Sequence, residues 1–108
     1  MVLIIWRQIQ KVNPDKWDEL EKMEKKFIEA EKRIGFPTET KKRYRPLFGP
    51  KGVNSLIIDY QWDSMAKFEK VYTKAVLDAD YQKLVEEAFP LLSESIWEIL
   101  VQWPAFPE

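Results

Sequence analysis

The stretch Val53-Asn54-Ser55-Leu56-Ile57-Ile58-Asp59-Tyr60-Gln61-Trp62 decides the fold. Side chains alternate across an extended strand, so Leu56, Ile58, Tyr60 and Trp62 share one face while Ser55, Ile57, Asp59 and Gln61 share the other. One face is wholly apolar and the other mixed, the pattern of a central strand covered on both sides. Gly49 and Gly52 mark a turn before it, and Asp63-Ser64 a helix start after it.

Working outward, Val2 to Gln10 repeats the alternation and predicts a second strand, with Val2, Ile4, Trp6 and Gln8 opposite Leu3, Ile5, Arg7 and Ile9. Asn13 followed by Pro14 reads as a helix cap and first helical position. Trp17, Leu20, Met23, Phe27, Ala30 and Ile34 then recur at steps of three and four, which predicts a helix that Gly35 and Pro37 stop. Glu and Lys fill its remaining positions as a solvated surface. The charged segment Thr40 to Phe48, with its late proline, predicts an edge strand joined to the central one by a hairpin at Gly49-Pro50-Lys51-Gly52. Beyond Trp62, Asp63 is expected to cap a helix whose buried stripe is Met65, Phe68, Tyr72 and Ala75 or Val76. After a break at Asp78 to Asp80, Tyr81, Leu84, Val85 and Ala88 continue a helical pattern as far as Pro90. Ser95 to Trp103 is the last strand, with Trp97, Ile99, Val101 and Trp103 opposite Ile96, Glu98, Leu100 and Gln102, and the proline-bearing tail from Pro104 to Glu108 cannot extend it.

Length allows one domain, residues 1–108, and a hydrophobic content of 45% with 14% aromatics makes it a packed one. Seventeen basic and eighteen acidic residues give a net charge of -1, which supplies no electrostatic case for nucleic acid or an anionic membrane. Without cysteine or histidine there is no disulfide, no thiolate nucleophile, no Ser-His pair and no usual haem or zinc ligand. The apolar start Met1 to Trp6 lacks a basic lead-in and is broken by Arg7, so it is expected to be neither a signal peptide nor a span, and the protein is read as cytoplasmic.

The order strand, helix, strand, strand, helix pair, strand is the split βαβ plan, an α+β class with an antiparallel sheet. Right-handed crossovers place both helical segments on one face, over Ile4, Trp6, Leu56, Ile58, Tyr60, Trp97, Ile99 and Val101. The other face then carries Leu3, Ile5, Ile9, Ile57, Ile96 and Leu100. Left in water these aliphatics would forgo of the order of 10 kcal/mol, so something is expected to cover them, most simply a second copy of the chain.

Within that order, Tyr60-Gln61-Trp62-Asp63-Ser64-Met65-Ala66-Lys67-Phe68-Glu69 and Asp80-Tyr81-Gln82-Lys83-Leu84 resemble the dimeric α+β barrel superfamily, and most of all its NIPSNAP-like members. The resemblance implies a ferredoxin-like βαββαβ fold, two sheets closing face to face into a barrel, and a pocket inside each subunit. Relatives include cofactor-independent monooxygenases, haem-degrading enzymes, isomerases and proteins of unknown activity. The haem branch is a poor match because no histidine is present to hold iron. The resemblance therefore carries over the fold and the homodimer, with no cofactor and no particular reaction.

On the open face, adjacent strands are expected to bring Arg7 near Asp59 and Glu98, with Gln61, Gln102 and Arg43 or Arg45 further out. Charges among aliphatics are costly unless paired. One reading is a pocket in which Arg7 binds an anionic or carbonyl group and Asp59 or Glu98 acts as base. The other is a salt bridge that fixes sheet register or dimer contacts. The run Lys41-Lys42-Arg43-Tyr44-Arg45 reads as a solvated edge, since its charges divide between two faces. RNA-recognition domains share this plan but display stacking aromatics where this chain has Ile57, Asp59 and Gln61. The five tryptophans read as core, and Asp78 with Asp80 and Glu86 with Glu87 as cap and surface carboxylates, so no metal site is expected. Two functions follow. One is a homodimer with a small-molecule pocket between sheet and helices or in the barrel, enzymatic in the manner of a cofactor-independent monooxygenase or isomerase. The other is a non-catalytic binding or assembly protein.

Overall fold

The computed structural model describes residues 3–104, in the order β1 (Ile4–Val12), α1 (Trp17–Ile34), β2 (Lys42–Tyr44), β3 (Ser55–Trp62), α2 (Met65–Leu77), α3 (Ala79–Ala88) and β4 (Leu92–Val101). Val2, expected to open the first strand, and the tail 105–108 lie outside the described residues. The strands form one antiparallel sheet in the order β2-β3-β1-β4, the ferredoxin-like arrangement, with β3 and β1 at its centre. Ile4 stands opposite Trp62, Trp6 opposite Tyr60 and Gln8 opposite Ile58. These residues face the helices. Ile4, Trp6, Ile58, Tyr60 and Trp62 are buried together with Ile34, the last residue of α1, with Phe36 just beyond it and with Phe68, Val71 and Ala75 of α2. Trp6 stacks on Tyr60 at 5.4 Å and meets Phe68 edge-on at 5.2 Å. Each large apolar side chain so buried contributes about 2–3 kcal/mol by area.

Several boundaries move for local reasons. The first helix begins at Trp17 rather than at Pro14, because Asn13 is tied to the turn just before the last strand. Its N–H donates to Leu91 O at 2.9 Å and its Nδ2 to Pro90 O at 3.1 Å, while the Lys16 N–H donates to Asn13 O and closes a turn. Gly35 ends α1 as expected, with φ 118°, a conformation that favours glycine. Ser64, not Asp63, caps α2: its Oγ accepts from the Lys67 N–H at 3.1 Å. Asp78 closes α2 and caps α3 by accepting from the Tyr81 N–H at 2.8 Å. In the stripe of α2, Val71 joins Phe68 and Ala75, while Met65 and Val76 are exposed.

The edge strand shrinks to Lys42–Tyr44. At one end the Thr40 hydroxyl takes over a ladder position, accepting from the Gln61 N–H at 2.9 Å and donating to Pro37 O. At the other, Pro46 has no N–H to offer. The last strand starts earlier, at Leu92, and ends at Val101. As the opposite edge it is thinly covered, so Trp97 is 52% exposed and meets the core through Trp6 and Tyr72, and Trp103 is 89% exposed. The tryptophans expected as core are therefore divided, with Trp6 and Trp62 inside and Trp103 outside. On the face away from the helices, Leu3 and Ile96 are exposed and Ile5, Ile57 and Leu100 half-buried, but Ile9 is buried between its cross-strand neighbours Ile57 and Ile96.

Candidate functional site

The helix-facing side of the sheet changes character along its length. Around Ile4, Trp6 and Trp62 it is packed aromatic core. Around Gln8, Gln10 and Ser95 it is polar, and there a cavity of about 140 Å³ opens between the sheet, α1 and α3. Leu20, Phe27, Leu56, Ile58, Val85 and Ala88 form apolar walls, and Glu24, Glu31, Lys41 and Tyr60 also line it. An open groove of about 380 Å³ beside Trp17, Arg43 and Arg45 shares Leu20, Glu24 and Leu56 with it.

Four side chains make the polar end. Glu31, only 2% exposed, accepts a hydrogen bond on Oε2 from the Tyr60 hydroxyl at 2.7 Å and one on Oε1 from Lys41 Nζ at 3.2 Å. Lys41 also donates to Glu24, whose Oε1 lies 3.0 Å from Arg43 Nη1. The Lys41 ammonium is 5.4 Å from the centre of the Tyr60 ring. Burial pushes the Glu31 carboxyl above the usual carboxylate range against the pull of Lys41 and the Tyr60 hydroxyl, and burial beside Glu31 pushes Tyr60 well above a free phenol. A buried carboxyl of raised proton affinity that lines a cavity has the character of a general base.

The chain is similar in structure to a NIPSNAP family protein from Agrobacterium tumefaciens, with 18% identity, a TM-score of 0.75 and coverage of 96% of this chain and 89% of that one. An uncharacterized NIPSNAP domain protein from Burkholderia xenovorans superposes with a TM-score of 0.66 at 14% identity, covering 97% and 99%. The chain has the NIPSNAP fold. The chain is also similar in structure to a candidate antibiotic biosynthesis monooxygenase from Nitrosomonas europaea, at 10% identity, a TM-score of 0.63 and coverage of 97% and 94%. No family model matches the sequence, and no curated protein matches it.

In this NIPSNAP-fold chain the residues singled out from the sequence separate. Arg7, Asp59 and Glu98 do stand side by side on the open face, in a row that Lys42 completes: Lys42 opposite Asp59, Asp59 opposite Arg7, Arg7 opposite Glu98. Arg7 holds Asp59 in a fork, Nε to Oδ1 at 2.8 Å and Nη2 to Oδ2 at 2.9 Å, and that pairing raises the Arg7 pKa. Both carboxylate oxygens are thus taken up by the arginine fork. Gln61 lies one row away, opposite Ile5. Arg43 does not belong to this group. It pairs in register with Ile58, on the helix side, and its partner is Glu24 of α1.

Reading the sequence missed Glu24, Glu31, Lys41 and Tyr60 as a group. The signal was present in the spacing: Glu24 follows Leu20, and Glu31 follows Phe27, by one helical turn each, so both fall on the buried stripe. Lys41, extended just before the edge strand, and Arg43 within it share a parity that brings both to these carboxylates.

Proposed function

We propose that the protein works as a cytoplasmic homodimer whose cavity between sheet and helices binds a small molecule and removes a proton from it with Glu31. The observation that carries this reading is the burial of Glu31 at the polar end of an otherwise largely apolar cavity. Tyr60 and Lys41 orient the carboxylate, and proton abstraction from an acidic C–H or O–H is the step that isomerases and cofactor-independent monooxygenases share. The test is deuterium exchange of cyclohex-2-enone in heavy water, followed by proton NMR. Exchange faster than buffer that disappears in Glu31→Gln supports the reading, and equal exchange by the two proteins refutes it.

The second copy would cover the open sheet face. Leu3 at 44% and Ile96 at 52% exposure, with Ile5, Ile57 and Leu100 half-buried around the Arg7–Asp59 pair, form an apolar surface with a polar centre, suited to a self-complementary contact. Light scattering with sedimentation is expected to give a dimeric mass, and Ile57→Glu with Leu100→Glu a monomeric or unfolded chain. A monomeric wild type would sink the proposal.

A further inference from the structure

We infer that the cavity takes an uncharged, ring-sized molecule that presents a carbonyl or hydroxyl edge to Gln8 and Gln10, an inference that rests on reading the cavity as a ligand site. Size sets the first limit. At about 140 Å³ the cavity compares with engineered apolar cavities of about 150 Å³ that hold one benzene, well below the roughly 300 Å³ at which drug-sized pockets begin.

The glutamines set the second limit. They continue the helix-facing side of β1 after Ile4 and Trp6, where packing alone would select apolar residues. Gln8 stands between Ile58 and Trp97, and Gln10 between Leu56 and Ser95. Two residues apart on one strand, they space their Cα atoms about 7 Å apart, and each amide offers both a donor and an acceptor. Both line the cavity, and neither takes part in the hydrogen bonds that join Glu31, Tyr60, Lys41 and Glu24. An apolar guest would strip water from these amides and return nothing, so the site favours a polar one.

Charge sets the third. The wall carries the Glu24 and Glu31 carboxylates and the Lys41 ammonium, and Lys41 is already shared between both acids. An entering anion would lose its water, meet two carboxylates and find that ammonium committed. A neutral ring held at one edge by the glutamines escapes both penalties.

Benzamide, benzoate and toluene are of nearly one shape and differ in polarity and charge. Each is titrated into the full-length protein at pH 7, with the glutamine side-chain amide resonances followed by nitrogen–proton NMR. Benzamide is expected to shift the Gln8 and Gln10 amides, and benzoate to bind at least tenfold more weakly. Gln8→Leu with Gln10→Leu is expected to weaken benzamide tenfold or more and to strengthen toluene. If that double variant does not fold, Gln8→Met and Gln10→Met, of nearly unchanged length, are read singly in the same way. Benzoate binding as tightly as benzamide, or benzamide indifferent to the glutamine variants, overturns the ligand class and leaves the cavity as a binding site. Silence from all three probes overturns the cavity as a ligand site, and the ligand class with it.

Discussion

Replacing Tyr60 by phenylalanine removes one oxygen atom and tests the polar end of the cavity directly. The hydroxyl is buried, in a residue only 1% exposed, and donates to Glu31 Oε2 at 2.7 Å. A hydrogen bond to a charged group contributes about 1.5–3 kcal/mol and one between neutral groups about 0.5–1.5 kcal/mol. Tyr60→Phe is therefore expected to cost about 2 kcal/mol with Glu31 ionised and about 1 kcal/mol with it protonated. The sign follows from linkage. The Tyr60 hydrogen bond pulls the Glu31 pKa down, so its loss lifts that pKa further and places the added destabilisation on the alkaline side. For a chain of 108 residues, 2 kcal/mol corresponds to a fall in Tm of about 8 °C. The assay is urea denaturation of wild type, Tyr60→Phe, Glu31→Gln and the double variant at fixed protein concentration, at pH 5 and pH 8. The reasoning requires a coupling energy of about 1–2 kcal/mol at pH 8 that shrinks at pH 5. Additivity within about 0.5 kcal/mol at pH 8 would refute it.

Further outcomes follow from the same geometry. Asp78 accepts from Arg33 at 2.6 and 2.9 Å and from the Tyr81 N–H, which lowers its pKa from 3.8 to about 2. That contribution is fully present above about pH 4 and lost as pH falls toward 2, so the thermal midpoint of Asp78→Ala should lie below wild type at pH 7 and converge with it in acid. Arg7→Leu leaves Asp59, whose side chain is 12% exposed, without its fork, and should cost about 1–3 kcal/mol in a urea titration. Adding Asp59→Leu should recover most of the loss, and a double variant no more stable than the single one would count against the pairing.

The frame of the fold was legible because strand parity is a strict rule. The apolar run Leu56, Ile58, Tyr60, Trp62 could face only the helices, and its antiparallel partners in β1 followed. The dense site was not legible for a physical reason. On a helix rich in Glu and Lys, Glu31 looks like Glu29 or Glu21, and only the stripe position and the arrival of Lys41 from just before a three-residue strand distinguish it. The same short strand explains Arg43: the charged run divides between two faces, and Arg43 falls on the one toward α1 while Lys42 falls on the other. Trp97 and Trp103 read as core from parity, but parity says nothing of how far a two-layer helix cover extends over an edge strand.

The row Lys42–Asp59–Arg7–Glu98 crosses all four strands between two rows without formal charge, Tyr44–Ile57–Ile9–Ile96 on one side and Gln61–Ile5–Leu100 on the other. Sliding β3 by one residue along β1 would turn its faces over and is forbidden by the apolar pattern itself. A slide by two residues keeps every side chain on its own face and leaves that pattern satisfied. It would set Asp59 against Ile5 or Ile9 and part it from Arg7, which would keep only Glu98 of β4 across from it. The charged row is thus an index mark for the folding sheet, separating the native alignment from the two-residue slides that hydrophobicity would accept.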